Sequence, residues 1–242
     1  MQKKAQVTVF IILGLIIAII LFATFYFFGE SLLAKSKTSQ LTQAQLIPLK
    51  EHVESCILVS LNKNFELIKR NAFFFSPSSY TTDYGGAKVN YLIYPDNAVN
   101  KLNSLEAVQD ELSSNIEKDL QSCSFDKFNL DIKPDKKAMK AETAIAENKI
   151  IVTLNYPIKV SKGQTSLELK GFSVSKETDL GLIHSITNDI VAGELQGEFD
   201  QYKYTFEHPE SRIDKFNLDI NNAVFLVTSN KEQDYVLFAV GK

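Results

Sequence analysis

The heptapeptide DKFNLDI stands at residues 126–132 and again, letter for letter, at 214–220. Phe, Leu and Ile alternate in it with polar residues, the period of a strand with one buried face. What surrounds each copy decides the fold. Ahead of the first, Leu105, Val108, Leu112, Ile116, Leu120 and Cys123 recur at spacings of three and four, which predicts a helix over about 104–123. Behind it, 139–146 and 150–160 alternate around the turn Glu147-Asn148-Lys149, a hairpin pattern. The second copy follows a helical pattern near 179–195 and precedes strand patterns at 223–229 and 235–240, joined by a turn at 230–233. The second half therefore reads as two related α-β-β-β units, 103–160 and 178–241. The first carries an extra strand at 165–175, TSLELKGFSVS. The fold class is α+β, an antiparallel sheet with packed helices.

Upstream, Pro48 suits the first turn of a helix running to about Arg70. Its stripe is Leu49, Val53, Cys56, Ser60, Leu61, Phe65 and Ile68. Cys56 and Cys123, the two cysteines of the chain, thus lie on the apolar stripes of two helices and turn toward one core. Bonded, they close a loop of 67 residues, worth about 4 kcal/mol if the bond acts on unfolded-chain entropy. Unbonded, they are two buried thiols. Residues 73–100 read as irregular except for a strand at 87–94 after the turn Gly85-Gly86. Asn103, with Glu106 three residues on, reads as the cap of the next helix. Pro157 lies inside a strand pattern, where a residue without an N–H marks an edge or a bulge.

The N-terminal end carries an address. An uncharged run of 22 residues opens at Val7 and closes at Phe28. As a helix it measures about 33 Å, enough to cross a hydrocarbon core of about 30 Å. Its outer end, Phe25-Tyr26-Phe27-Phe28, suits an interfacial aromatic belt rather than a cleavage site. Lys3 and Lys4 place the short side in the cytoplasm, so a polar stalk at 29–47 and the domain at 48–242 face outward, on the cell surface. The lipid bilayer is then a partner through residues 7–28.

Lys4-Ala5-Gln6-Val7-Thr8 resembles the archaeal class III, pilin-type signal, in which a basic and a small residue precede Gln-x-Ser/Thr. The resemblance implies cleavage between Ala5 and Gln6, which leaves the apolar run in place. Phe10 stands where the pilin pattern carries Glu, the residue thought to pair with a neighbour's new amino terminus during filament assembly. Val53-Glu54-Ser55-Cys56-Ile57, Tyr156-Pro157-Ile158 and Leu237-Phe238-Ala239-Val240 extend a looser likeness. The chain is similar in these to uncharacterised membrane-anchored proteins of small-genome archaea. That likeness brings no activity with it.

Chemistry is sparse. His52 precedes Cys56 by four residues, a metal-ligand spacing on a helix, but two ligands do not make a site and a disulfide would occupy Cys56. His184 falls near the end of an apolar helical face, and His208 precedes Pro209 in a loop pattern. Asp126, Asn129 and Asp131, and their duplicates Asp214, Asn217 and Asp219, faintly resemble a cation-ligand row, yet EF-hand spacing is missing and solvated strand faces explain them. There is no Gly-x-Ser-x-Gly elbow, phosphate-binding glycine loop or His-Glu-x-x-His. A net charge of −3 with no basic stripe speaks against nucleic acid. The expectation is a non-enzymatic surface protein, without catalytic residues, metal or cofactor, in a structural or binding role toward an envelope or self-assembly partner. The alternative is a membrane-tethered envelope hydrolase built on Asp and Glu, whose pairing one sequence does not reveal.

Overall fold

The computed structural model describes residues 43–96, 98–229 and 234–241. The apolar run at 7–28 and the Ala5/Gln6 junction lie outside them. Among the described residues no helix is long and apolar enough to cross a membrane.

The described residues begin with the long helix α1 (Gln43–Arg70), followed by the hairpin β1 (Thr81–Tyr84) and β2 (Ala87–Ile93). Gly85 and Gly86 turn it with φ of 58° and 83°, values that only glycine adopts freely. Helix α2 (Leu105–Leu120) comes next, then β3 (Asp131–Pro134), β4 (Lys140–Ala146), β5 (Lys149–Lys162) and β6 (Thr165–Glu177). Helices α3 (Leu180–Gln196) and α4 (Gln201–Glu207) lead to the meander β7 (Ser211–Asn217), β8 (Asn222–Ser229) and β9 (Tyr235–Gly241). The class is α+β as expected, but in place of one antiparallel sheet there are two sheets, one of them mixed through the parallel pairing of β2 with β9.

Two sheets share one core. The first has strand order β1-β2-β9-β8-β7, with β2 and β9 parallel and the other pairs antiparallel. The second is built on β5, which is long enough to seat β4 and β3 end to end along one edge, with β6 on the other. Between them, α1 buries Leu49, Val53, Ile57, Leu61, Phe65 and Ile68, and α2 buries Val108, Leu112, Ile116 and Leu120. Each such side chain contributes about 1.5–3 kcal/mol. Helix α3, apolar on most of its surface, buries Leu180, Ile183, Ile186, Ile190 and Val191 in the same core. On the far face of the five-stranded sheet a second, small cluster gathers Val89, Tyr91, Val224 and Ala239.

Several expectations need correction. Pro48 lies within α1 rather than opening it. The carbonyl it leaves without a donor belongs to exposed Ala44, where water can serve it. The cap of α2 is Ser104, whose hydroxyl accepts from Ala107 N–H at 3.2 Å. Asn103 is occupied elsewhere, donating to the Phe73 carbonyl. Pro157 sits at a bulge, between Asn155 and Ile158 in the β5–β6 register, but on the central strand and not on an edge.

The repeated heptapeptide does not build repeated units. Residues 126–130 lie outside strands, and β3 starts at Asp131 and pairs with β5. In the second copy Asp214–Asn217 end β7, which pairs with β8, and 218–220 form the turn. The order β3-β5-β4 is not the order β7-β8-β9, so the two units are not architectural copies. Length decides it: β5 reaches past β4 and captures β3, whereas β8 and β9 are short and leave a plain meander. Burial follows context too. Phe128 and Leu130 pack against the core, whereas Ile220 is 98% exposed.

Candidate functional site

A cavity of about 600 Å³ opens between the outer face of α1 and the C-terminal end of α2. Helical spacing sets its α1 wall: His52, Ser55, Cys56, Val59, Ser60 and Lys63 fall on one face. The opposite wall comes from Asp119, Leu120 and the tight turns after them. There the N–H groups of Gln121, Ser122 and Cys123 donate back to the carbonyls of Lys118, Asp119 and Leu120. These turns present Ser122, Cys123, Ser124 and Lys127 to the cavity.

The predicted Cys56–Cys123 disulfide is present and joins the two walls, with Cα atoms 6.2 Å apart. Its two cysteines are not equally buried. Cys56 is half-buried and Cys123 is 8% exposed. His52 stands beside Cys123 alone in hydrogen-bonding terms. Its Nε2 donates to the Ser124 carbonyl at 2.7 Å and lies 3.8 Å from Cys123 Sγ. A carbonyl can only accept, so the proton resides on Nε2 and is shared with the Ser124 carbonyl, while Cys123 Sγ lies at the longer distance beside it. Phe125 and Phe128 hold the ring, at 5.9 Å edge-on and 5.4 Å tilted. Phe128 belongs to the first DKFNLDI copy, so that segment walls the histidine.

Asp119 ties the helices together at the other end of the cavity. It accepts from Ser60 Oγ at 2.8 Å, Lys63 Nζ at 2.8 Å and Asn64 Nδ2 at 3.1 Å. Partial burial pushes its pKa up, but these hydrogen bonds and the Lys63 charge outweigh burial and hold it below the usual carboxylate value. A carboxylate so committed is a structural acceptor, not an acid or base for bound molecules.

Among the described residues, His52, Cys56 and Cys123 also form the group of three whose ligand atoms lie within 4.8 Å of one another. With the two sulfurs bonded to each other they offer no thiolate to a metal, and Nε2, the ring nitrogen beside Cys123, carries a proton rather than a lone pair. The other histidines lie elsewhere. His184 is buried, with Nε2 donating to the Asn103 carbonyl at 2.8 Å and its ring edge-on to Phe73 at 4.7 Å. His208 stacks on Tyr204 at 4.2 Å and pairs with Glu210 at 3.1 Å. The Asp/Asn rows are spent locally: Asp126 on Ser124, Asp131 on Lys133, Asp214 on Arg212, Asp219 on Asn222.

The contact of His52 with Cys123 is the feature that sequence patterns did not single out. Its signal is nevertheless there: a residue four before Cys56 on a helix face, combined with a Cys56–Cys123 bond, brings His52 beside the second sulfur. No protein-family model, curated protein or solved structure matches this chain.

Proposed function

We propose that the chain is a single-pass, membrane-anchored cell-surface protein whose extracytoplasmic α+β domain does structural or binding work. Residues 7–28 serve as the anchor, the amino terminus faces the cytoplasm, and the pilin-type junction between Ala5 and Gln6 is the processing point. The observation that carries this reading is the Cys56–Cys123 disulfide. Bonds of this kind persist outside the cytosol, which is where the lysines before the apolar run direct the domain. The cavity at the disulfide is of ligand-pocket size and serves as the binding surface. The hydrolase alternative calls for a carboxyl group ready to exchange a proton in that cavity. Asp119, the carboxylate lining it, is held ionised by three donors.

One experiment addresses side and anchor together. Intact cells are treated with a membrane-impermeant phosphine and then an impermeant maleimide, and the protein is extracted from membranes for intact-mass analysis. The expected result is a doubly labelled chain that retains residues 7–28 and begins at Gln6. A chain that keeps Lys3 and Lys4 is a plain signal-anchored protein. Labelling only after lysis, or a mass lacking the apolar run, overturns the reading.

A further inference from the structure

We propose that the Cys56–Cys123 disulfide is an exchange site for small-molecule thiols that enter the cavity, with Cys56 as the sulfur attacked, Cys123 as the leaving group and His52 as the group that receives it. This goes beyond the surface-protein reading and stands or falls separately from it.

Three observations carry it. The disulfide lies where the core meets an open cavity of about 600 Å³: Cys123 belongs to the core cluster and Cys56 packs against it, yet both line the cavity wall. Cys56 is the more exposed of the two residues, which makes its sulfur the one assigned to attack by an entering thiol. His52 Nε2 lies 3.8 Å from the other sulfur, where negative charge develops when the bond breaks. Exchange is faster when the leaving thiolate is better stabilised, and a neighbouring histidine does this for cysteine.

A thiol RSH loses its proton to water, and its thiolate attacks Cys56 Sγ. The S–R bond to Cys56 forms as the Cys56–Cys123 bond breaks, and the electron pair leaves on Cys123 Sγ. There it accepts the Nε2–H hydrogen bond and takes the Nε2 proton as water returns to the imidazole the proton that RSH lost, giving a mixed disulfide and one free thiol. A second thiol R′SH attacks the R sulfur, releases the Cys56 thiol and departs as RSSR′. Two electrons pass from the two thiols to the protein. Closure of a 67-residue loop favours the oxidised protein, so Cys123 re-attacks the mixed disulfide and the wild-type adduct is transient.

The test uses the folded full chain in detergent with glutathione as the probe. Samples are quenched by acid and alkylation and read by mass. The expected rate of disulfide opening rises in proportion to thiol concentration, and the trapped adduct is on Cys56. The variant Cys123→Ser, treated with oxidised glutathione, keeps that adduct. His52→Gln retains a donor for the Ser124 carbonyl but cannot carry a proton to sulfur, and opens about tenfold more slowly. An opening rate that is independent of thiol and equal to the unfolding rate means an inert structural bond and overturns the proposal. An adduct on Cys123, or an unchanged rate in His52→Gln, overturns the assignment of roles.

Discussion

Tyr84 and Phe216 lie on the two edge strands of the five-stranded sheet, β1 and β7, yet their rings are 5.2 Å apart. Four strand spacings would separate the edges of a flat sheet by about 19 Å. The contact therefore records a sheet curled over its small apolar cluster. Tyr91 spans the same concave face, its hydroxyl donating to Asn222 Oδ1 at 3.1 Å from β2 to β8. Replacing Tyr84 and Phe216 by Ala singly and together should give a coupling energy of about 0.5–1.5 kcal/mol in urea unfolding. Additive losses would mean that the rings meet without holding the edges.

Asp119 is the polar clamp between α1 and α2. Asp119→Asn should cost about 1–3 kcal/mol at neutral pH, because Asn64 is buried and an amide serves its donors less well than a carboxylate. The pH dependence has a definite sign. The native pKa is lowered, so the contribution is complete above the ordinary carboxylate value and is lost as pH falls through the native one. The gap between wild type and variant should begin to narrow below about pH 4. Lys63 is 62% exposed on its side chain, and Lys63→Ala should cost less than about 1 kcal/mol. Unfolding curves across pH check all three statements.

Local patterns made much of this fold legible, and long-range pairing did not. The stripes on α1 and α2 placed Cys56 and Cys123 together because helix period and burial agree there. Alternation over β4, β5 and β6 was likewise clear, since each buries one face. Strand β1 escaped notice because TTDY is short and polar and exists by pairing with β2. Helix α4 is only seven residues long and buries none of them, so no buried stripe announces it. The parallel pairing of Tyr91 with Ala239 joins distant segments of chain, and no local pattern announces it. The two DKFNLDI copies show the limit most directly: seven identical residues take different pairings because their neighbours differ in length.

Gly181 sets helix propensity against packing. In a helix, Ala is better than Gly by about 1 kcal/mol. A Cβ at Gly181 would collide with the Ala146 carbonyl oxygen and come within 2.7 Å of its carbon, both backbone atoms at the end of β4. Overpacking of this kind costs about 1–3 kcal/mol, so Gly181→Ala should destabilise despite the propensity. Gly171, where an added Cβ would meet nothing within 4 Å, is the control. Gly171→Ala should be neutral or stabilising by up to about 1 kcal/mol. Equal effects at both sites would remove the packing argument.

His184 should make the domain acid-sensitive well above the carboxylate range. Burial disfavours its imidazolium and lowers its pKa, and the hydrogen bond to the Asn103 carbonyl, which favours the charged form, does not offset this. The unfolded chain takes up the proton near pH 6.5, as an ordinary histidine does. The native state then binds fewer protons than the unfolded one. Stability is complete above about pH 6.5 and falls as pH drops below it, until native His184 is protonated in turn. Urea unfolding at pH 8 and pH 5 measures the loss in wild type and in His184→Gln, which keeps a donor for the Asn103 carbonyl. The wild type should lose more stability than the variant between these pH values. Equal losses would move the acid sensitivity to other groups and leave His184 as a packing residue against Phe73.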